Sequence, residues 1–555
     1  MDGKMKVAVT DGIGENHMKL TIEGLKEREA WESAGITLPS YDVAEVAERT
    51  RKEPVWVHFG IGNIFRIFLG GIADQLLNNG SMDKGITCVE SFDFDLVDKI
   101  YRPFDNLGLS VILHNDGTVD KRVLGSMTEA VKAMSGEEQE WERLKEIFRT
   151  PGLQMVSFTI TEKGYALRDA DGAYFSFVKE DIENGPEKAR CAMAIVTAML
   201  LERFRAGGAP LALVSMDNCS GNGSVLRGSV LELAAEWKEK GYVEDAFIEY
   251  ISDEAKIAFP WTMIDKITPR PSEEIAERLE KSGVEDMRPV VTSKRTYIAP
   301  YINAEGPQYL VVEDHFPNGR PPLEEGGVYM TDRDTVNRSE RMKVTVCLNP
   351  VHSALGPYGC VLGYTLFSDQ MKDAASLKFA EAIGAEGMEV VPDPKIISPK
   401  EFLDECLYER FPNPYLGDTV QRLVTDISQG VGIRFGETVK AYIERDGDAG
   451  RLRAIPLAIA GWLRYLLAID DAGNHYELSP DPMNEELREQ LAGVVVGNPE
   501  SLGDKARKIL SNKNIFGVDL YEAGIGERIE EILRSELEGY GAVRKVLDTC
   551  LDSEK

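Results

Sequence analysis

The chain reads in two hydrophobic regimes. Up to about residue 265, short apolar or β-branched runs alternate with longer helical stretches: VWVHF at 55–59, GITCVE at 85–90, QMVSFTIT at 154–161 and the run at 210–216. Runs this short, apolar and β-branched suit strands buried on both faces of a parallel sheet. Further strands are expected near 109–114 and 121–125, with helices over 64–77, 94–101, 137–149 and 186–206. Polar residues gather where the strands end, as in an open α/β sheet that binds ligands along its C-terminal edge. Residues 1–54 are polar and mixed and are expected as an extended arm without chemistry. Prolines and a charged helix over 268–292 suggest a linker, followed by strand-like pieces at 290–298 and 308–313. From 333 onward a helical period dominates, over 370–384, 399–409, 415–428, 435–445, 452–469, 483–493, 503–511 and 526–550. The expected organisation is an arm, 1–54; a doubly wound α/β domain, 55–290; and a mainly α-helical domain, 291–555.

One stretch breaks the charge pattern. Between Lys343 and Asp369 there is no Asp, Glu, Lys or Arg, in a chain that is 28% charged. Asn349, Pro350, His352, Pro357 and several glycines interrupt it, so it is not a membrane span. An amine, an amide and an imidazole (Lys343, Asn349 and His352) remain in an apolar run. Buried polar groups need partners, and an amine beside an apolar wall is pushed toward its neutral, basic form. The plain alternative is a core helix with a capping Asn and a satisfied His. Lys343 precedes His352 by nine residues, roughly 180° around a regular helix. One extra residue absorbed as a π-bulge beside Pro350 would bring the amine round to the face of Asn349 and His352. A short strand over 343–348, with Asn349 capping the next helix, is the other geometry open at this point.

Composition narrows the partners. With 93 acids against 63 bases the net charge is −30, which disfavours nucleic acid and anionic membrane. An anionic substrate would need a local basic pocket. The seven cysteines form no CxxC pair and are expected as reduced thiols, with neither a disulfide framework nor a metal site. No signal pattern opens the chain, and the expected compartment is the cytoplasm.

The first βα unit carries Gly60-Ile-Gly62-Asn63 between a strand and an apolar helix. Backbone N–H groups in this arrangement can hold a pyrophosphate; a plain tight turn is the alternative, because Phe65 stands where the fingerprint has its third glycine. The second strand ends in Glu90, which could accept from an adenosine ribose and repel a 2′-phosphate, favouring NAD over NADP. Asp93 competes with it, and a solvated strand end is the plain reading.

Several motifs occur together in order: VHFGIGN with Phe65-Arg66, TITEKGY at 159–165, DNCSGNG at 217–223, FPWTMIDKITP at 259–269, MKVTVCLNPVHSAL at 342–355 and NPYLGDTVQRLVTDISQ at 413–429. This set resembles the polyol-specific long-chain dehydrogenases, the family of mannitol dehydrogenases and hexuronate reductases. The resemblance implies an N-terminal Rossmann-like NAD-binding domain, a helical C-terminal domain that encloses substrate against it, and metal-independent chemistry. It also implies Lys343 as general base, Asn349 and Asn218 as donors to the reacting oxygen, and His352 as the group orienting neighbouring hydroxyls. Asp265 is implied as a polar relay, and Arg422 as the grip on the far end of the substrate. Gly60, Gly62, Asn63, Arg66, Glu90, Thr161 and Glu162 are the expected cofactor residues, with Asn222 a substrate candidate that also reads as a turn residue.

The departures concern substrate choice. The family usually has one residue fewer between the lysine and Asn349. It carries a further lysine where this chain has Gly430, for which Arg434 or Lys440 could stand in. Trp261 replaces a small polar residue. The implied reaction is NAD-dependent reduction of D-fructuronate to D-mannonate, with hydride transfer at C5. Mannitol 2-dehydrogenase and tagaturonate reductase are alternatives within the family. An NAD-holding sugar-acid isomerase and a catalytically silent binding protein are alternatives outside it. A small sugar acid or polyol is the expected partner, and the oligomeric state stays open.

Overall fold

The computed structural model describes residues 17–551 and divides into two compact units. Unit 1 runs to Leu113 and resumes over Val119–Met330; unit 2 comprises His114–Thr118 and Thr331 onward.

Unit 1 is built on six parallel strands: β1 (Trp56–Phe59), β2 (Ile86–Glu90), β3 (Met127–Lys132), β4 (Met155–Phe158), β5 (Leu211–Ser215) and β6 (Ile257–Ala258). Their spatial order is β3-β2-β1-β4-β5-β6, the doubly wound dinucleotide-binding order, with its switch point between β1 and β4. Alternate residues feed opposite cores, as the strand pleat requires. Val57, Phe59, Val156 and Leu213 join one apolar cluster with Trp141, Leu144 and Trp237. Trp56, Cys88, Met155 and Val214 join another with Phe65, Phe68 and Ile100. Coverage on both faces leaves these strands mostly apolar, and their few polar side chains, among them His58, Thr87 and Ser157, are buried.

Two of the six strands were not expected. β3, MTEAVK, is an edge strand with only half its residues buried, so it shows no continuous apolar run. β6 is the opposite edge and has only two residues. Residues 28–52 also differ from the expected arm. They form helices over Arg28–Ser33 and Val43–Lys52 and a strand, Ile36–Thr37, paired with Val119–Leu124. Trp31 and Ile36 anchor this segment in a third apolar cluster, and the Tyr41 hydroxyl donates to Asp74 at 2.6 Å. Apolar side chains scattered among charges carry the packing there. The part of the expected arm before residue 17 lies outside the described residues.

The division between the units falls at 330/331, later than the expected 290/291. Strands Tyr301–Ala304 and Tyr309–Glu313 pair with strands of unit 1, Tyr301–Ala304 with Gly108–Leu113 and Tyr309–Glu313 with Thr262–Asp265. Long-range pairing of this kind is not visible in local pattern.

Unit 2 is mainly helical. Helix α1 (Arg333–Met342) runs through a π-helical turn, Lys343–Cys347, into α2 (Asn349–Val361). Around α2 pack α3 (Ala374–Met388), α4 (Ala454–Tyr465) and the short helix Val420–Leu423, and α5 (Gly526–Glu536) packs against α4. At the α2–α4 crossing a Cβ on Gly461 would lie 2.2 Å from the Tyr358 ring, so only glycine lets the helices approach. The expected helix 526–550 is broken at Gly541, which has φ 79°. None of the seven cysteines, all of them among the described residues, forms a disulfide. Among the described residues no helix is long and apolar enough to cross a membrane.

Candidate functional site

The glycine turn in unit 1 is held from below by a chain of neutral hydrogen bonds. Trp56 Nε1 donates to Ser157 Oγ at 2.8 Å, and His58 Nδ1 lies 2.7 Å from the same oxygen. His58 Nε2 lies 2.9 Å from Thr159 Oγ1, which donates to the Gly60 carbonyl at 2.8 Å. Because that hydroxyl proton is used on Gly60, Thr159 accepts from His58. The imidazole is then the Nε2–H tautomer, accepting at Nδ1. Complete burial pushes His58 down to about 3, so the relay stays uncharged. It sets the backbone at Gly60, where φ is 89° and a Cβ would lie 2.1 Å from the Thr159 carbonyl oxygen.

Above the turn there is room. A Cβ on Gly62 would meet nothing within 4 Å, and the helix starting at Asn63 has first-turn N–H groups without intrahelical acceptors. Asn63 Oδ1 is buried without a hydrogen-bond partner. Glu90 ends β2 beside the turn. Its Oε1 accepts from the N–H groups of Ser91, Phe92 and Asp93 at 2.8–3.1 Å, and Oε2 faces Ile61 N at 3.4 Å. Burial raises its pKa and these N–H groups partly offset the rise. One oxygen is thus committed to the loop, and the other retains capacity to accept. Its rival, Asp93, accepts from Thr292 and Thr296 through Oδ2 at 2.7 and 2.6 Å, and its Oδ1 is buried without a hydrogen-bond partner. An open turn at the switch point, with a carboxylate at the end of the neighbouring strand, fits a dinucleotide.

Across the switch point, Thr161 and Glu162 are exposed just after β4, and Thr161 has φ 64°, a strained conformation for a β-branched residue. Asp217, which the motif reading passed over, holds that turn. It accepts from Ile160 N at 2.9 Å, Thr161 N at 3.0 Å and the Tyr165 hydroxyl at 2.6 Å. Only the proximity of β4 and β5 gives it this role.

Two expected site residues prove structural. Arg66 is 1% exposed and points inward, donating to the carbonyls of Ala299 and Pro300 at 2.8 and 2.7 Å. Its guanidinium secures the strand that follows rather than a cofactor. Asn222 is equally buried. Its amide bonds Thr262 through Nδ2 and Oδ1, and Nδ2 also donates to the Asp217 carbonyl. It ties the 217–222 loop to the strand Thr262–Asp265, so every polar atom is used within the fold. On the elements it joins, Asn218 is exposed and Asp265 is buried at a strand end. The Trp261 ring lies 2.7 Å from where a Gly223 Cβ would sit, so the indole packs on the glycine loop.

In unit 2, Lys343, Asn349 and His352 lie on one helical segment, and the bulge expected from their spacing is present. Lys343–Cys347 forms a π-turn closed by Leu348 N donating to the Lys343 carbonyl at 3.0 Å. The strand alternative is therefore set aside. Lys343 is 1% exposed, the one buried lysine among the described residues. Asn349 Oδ1 is buried without a partner. The His352 ring sits between Phe367 and Phe411, with centroids 5.3 and 4.6 Å away. Arg422, by contrast, is 59% exposed and pairs with Asp418 at 2.6 Å.

The comparisons agree with this division. The model of the mannitol dehydrogenase Rossmann domain matches residues 55–325, and that of the mannitol dehydrogenase C-terminal domain matches 335–535. The chain is 51% identical over 540 residues to D-mannonate oxidoreductase of Thermotoga maritima, covering 97% of this chain and 100% of that protein. It is 31% identical over 493 residues to mannitol 2-dehydrogenase of Pyrenophora tritici-repentis, covering 87% of this chain and 79% of that one. Among solved structures it resembles D-sorbitol dehydrogenase in substrate-free form, with TM-score 0.76, 26% identity and coverage of 92% and 97%. It also resembles Pseudomonas fluorescens mannitol 2-dehydrogenase in ternary complex with NAD and D-mannitol, with TM-score 0.68, 25% identity and coverage of 97% and 100%. The strand order, the glycine turn and these full-length likenesses lead to one assignment: the chain belongs to the mannitol dehydrogenase family.

Proposed function

We propose that this chain is an NAD-dependent oxidoreductase that interconverts D-fructuronate and D-mannonate, with Lys343 as the general acid and base. The observation that carries the choice of a sugar acid is the near-full-length likeness to D-mannonate oxidoreductase. The supporting geometry is a buried lysine brought by a π-turn onto the segment of Asn349 and His352.

Gly60, Gly62, Asn63 and Glu90 would hold the dinucleotide, with Thr161 and Glu162 across the switch point. When bound, NADH supplies the hydride for reduction. Lys343 would give its proton to the substrate carbonyl oxygen during reduction and take it back in the reverse direction. Asn349 would donate to that oxygen as it gains charge, an interaction stronger in the transition state than in the ground state. His352 would orient the adjacent hydroxyl.

The test is the consumption of NADH, followed by absorbance, with D-fructuronate, D-tagaturonate and D-fructose offered in turn. Turnover with D-fructuronate well above the others supports the reading. Preference for fructose moves the activity to mannitol, and NADH binding without turnover on any of the three sinks it. Glu90→Gln is expected to weaken NADH about tenfold, the scale of one charge-assisted hydrogen bond. It should also narrow the preference over NADPH, because a 2′-phosphate no longer meets a carboxylate. Fluorescence titration with both nucleotides reads this out, and unchanged affinities would leave Glu90 as a brace for its own loop.

A further inference from the structure

Gly430 marks a gap that another residue fills. A Cβ placed there would lie 2.7 Å from both Cζ and Nε of Arg434 and 3.0 Å from Nη1. Arg434 belongs to the next turn, Gly432–Gly436, and its side chain folds back over the bare glycine. Nη1 donates to Ser353 Oγ at 2.7 Å. Ser353 is fully buried on α2, one turn after Asn349 and next to His352. The guanidinium therefore lies along the same helix face as the amide assigned above to the reacting oxygen.

Among the described residues no carboxylate acts on Arg434, and burial alone pulls its pKa down. A partly desolvated cation with no anion is costly to keep in a helical core. Arg422 is the opposite case, largely exposed and already neutralised by Asp418.

We infer that Arg434, rather than Arg422, receives the carboxylate of a sugar-acid substrate, and that Gly430 lacks a side chain so that the guanidinium can reach it. This rests on the sugar-acid reading above and supplies the local positive charge that a chain of net charge −30 needs for an anionic substrate. The spacing suits it. One helical turn, about 5.4 Å, matches the distance between the carbonyl and carboxylate carbons of an extended D-fructuronate, roughly 5 Å at ordinary C–C lengths. A guanidinium holding Ser353 through one nitrogen still offers a pair of N–H groups to a carboxylate.

The experiment uses the full chain and two readouts. Calorimetric titration of D-mannonate needs no turnover. Arg434→Met is expected to weaken binding by about tenfold to a hundredfold, the range for a charge-assisted pair. Arg434→Lys should recover part of the loss. Gly430→Ala, which keeps the charge but displaces the guanidinium, should also weaken binding. In steady-state assays with D-fructuronate, Arg434→Met should raise KM far more than it lowers kcat. Equal D-mannonate binding by the wild type and Arg434→Met overturns the inference. So does a larger loss in Arg422→Ala than in Arg434→Met, or the absence of D-mannonate binding by the wild type. NADH consumption by the wild type is scored separately, so failure of the proposed reaction is distinguishable from failure of the carboxylate site. Thermal melts and NADH affinity check that each variant is folded.

Discussion

Lys343→Met is expected to turn over on the order of 10²–10⁴-fold more slowly than the wild type, the range for a general acid–base group, while NADH affinity stays within a few-fold. Lys343 is almost wholly buried, and it lies in unit 2, whereas the glycine turn lies in unit 1. Methionine keeps the length and volume of the stem and removes only the titrating amine. A proton donor used in the chemical step shows its loss in kcat and kcat/KM together. Steady-state kinetics and nucleotide titration check both halves. A kcat within tenfold of the wild type would remove Lys343 from the chemistry.

Glu536→Gln is expected to change the pH dependence of stability. Glu536 is 0% exposed on α5, its Oε1 is 2.5 Å from the Tyr358 hydroxyl, and its Oε2 is buried without a partner. Burial pushes its pKa from 4.5 up to about 8, against the pull of the Tyr358 hydroxyl and the Arg464 charge. The folded protein therefore holds a proton that the unfolded chain releases above its ordinary carboxyl pKa. Fewer protons on the unfolded state mean that stability falls as pH rises from about 4.5 toward 8, and then levels off. Glutamine mimics the protonated acid at every pH. Melting curves of the two proteins should nearly coincide at about pH 5 and separate at about pH 8.5 with the variant more stable, by up to a few kcal/mol. A constant offset across that range would show that the carboxyl does not titrate in this window.

The tyrosine gives that expectation a geometric basis. Tyr358 Oη is also 3.1 Å from the Leu457 carbonyl oxygen, and one hydroxyl proton cannot serve both acceptors. A protonated Glu536 resolves this by donating to Tyr358, which then donates to Leu457.

Much of the site was legible as pattern. The buried strands showed as apolar runs because helices cover both faces, and the glycine turn showed because Gly60 needs a positive φ that other residues resist. The nine-residue spacing left a π-turn and a short strand open at Lys343, and the structure decides for the π-turn. The order of the local motifs pointed to the family that the full-length comparisons establish.

Side-chain partners were not legible. Arg66 and Asn222 carry the same functional groups whether they face a ligand or a backbone carbonyl, and only the arrival of Ala299, Pro300 and Thr262 from distant sequence decides the matter. The strands beyond 290 join unit 1 by long-range pairing that no local period encodes. Residues near 31–41 look polar because their few apolar side chains, Trp31, Ile36 and Leu38, are spaced irregularly.

Taken alone, the amino-acid order determined the α/β-then-helical plan, the glycine turn, the acid after the second strand and the buried lysine segment, because each rests on neighbours within a few residues. The tertiary structure alone decided that Arg66 and Asn222 serve the scaffold, that Asp217 braces the turn after β4, and that Arg434 donates to Ser353. Those outcomes depend on which residues, from 40 to 233 positions away in the chain, come within hydrogen-bond reach.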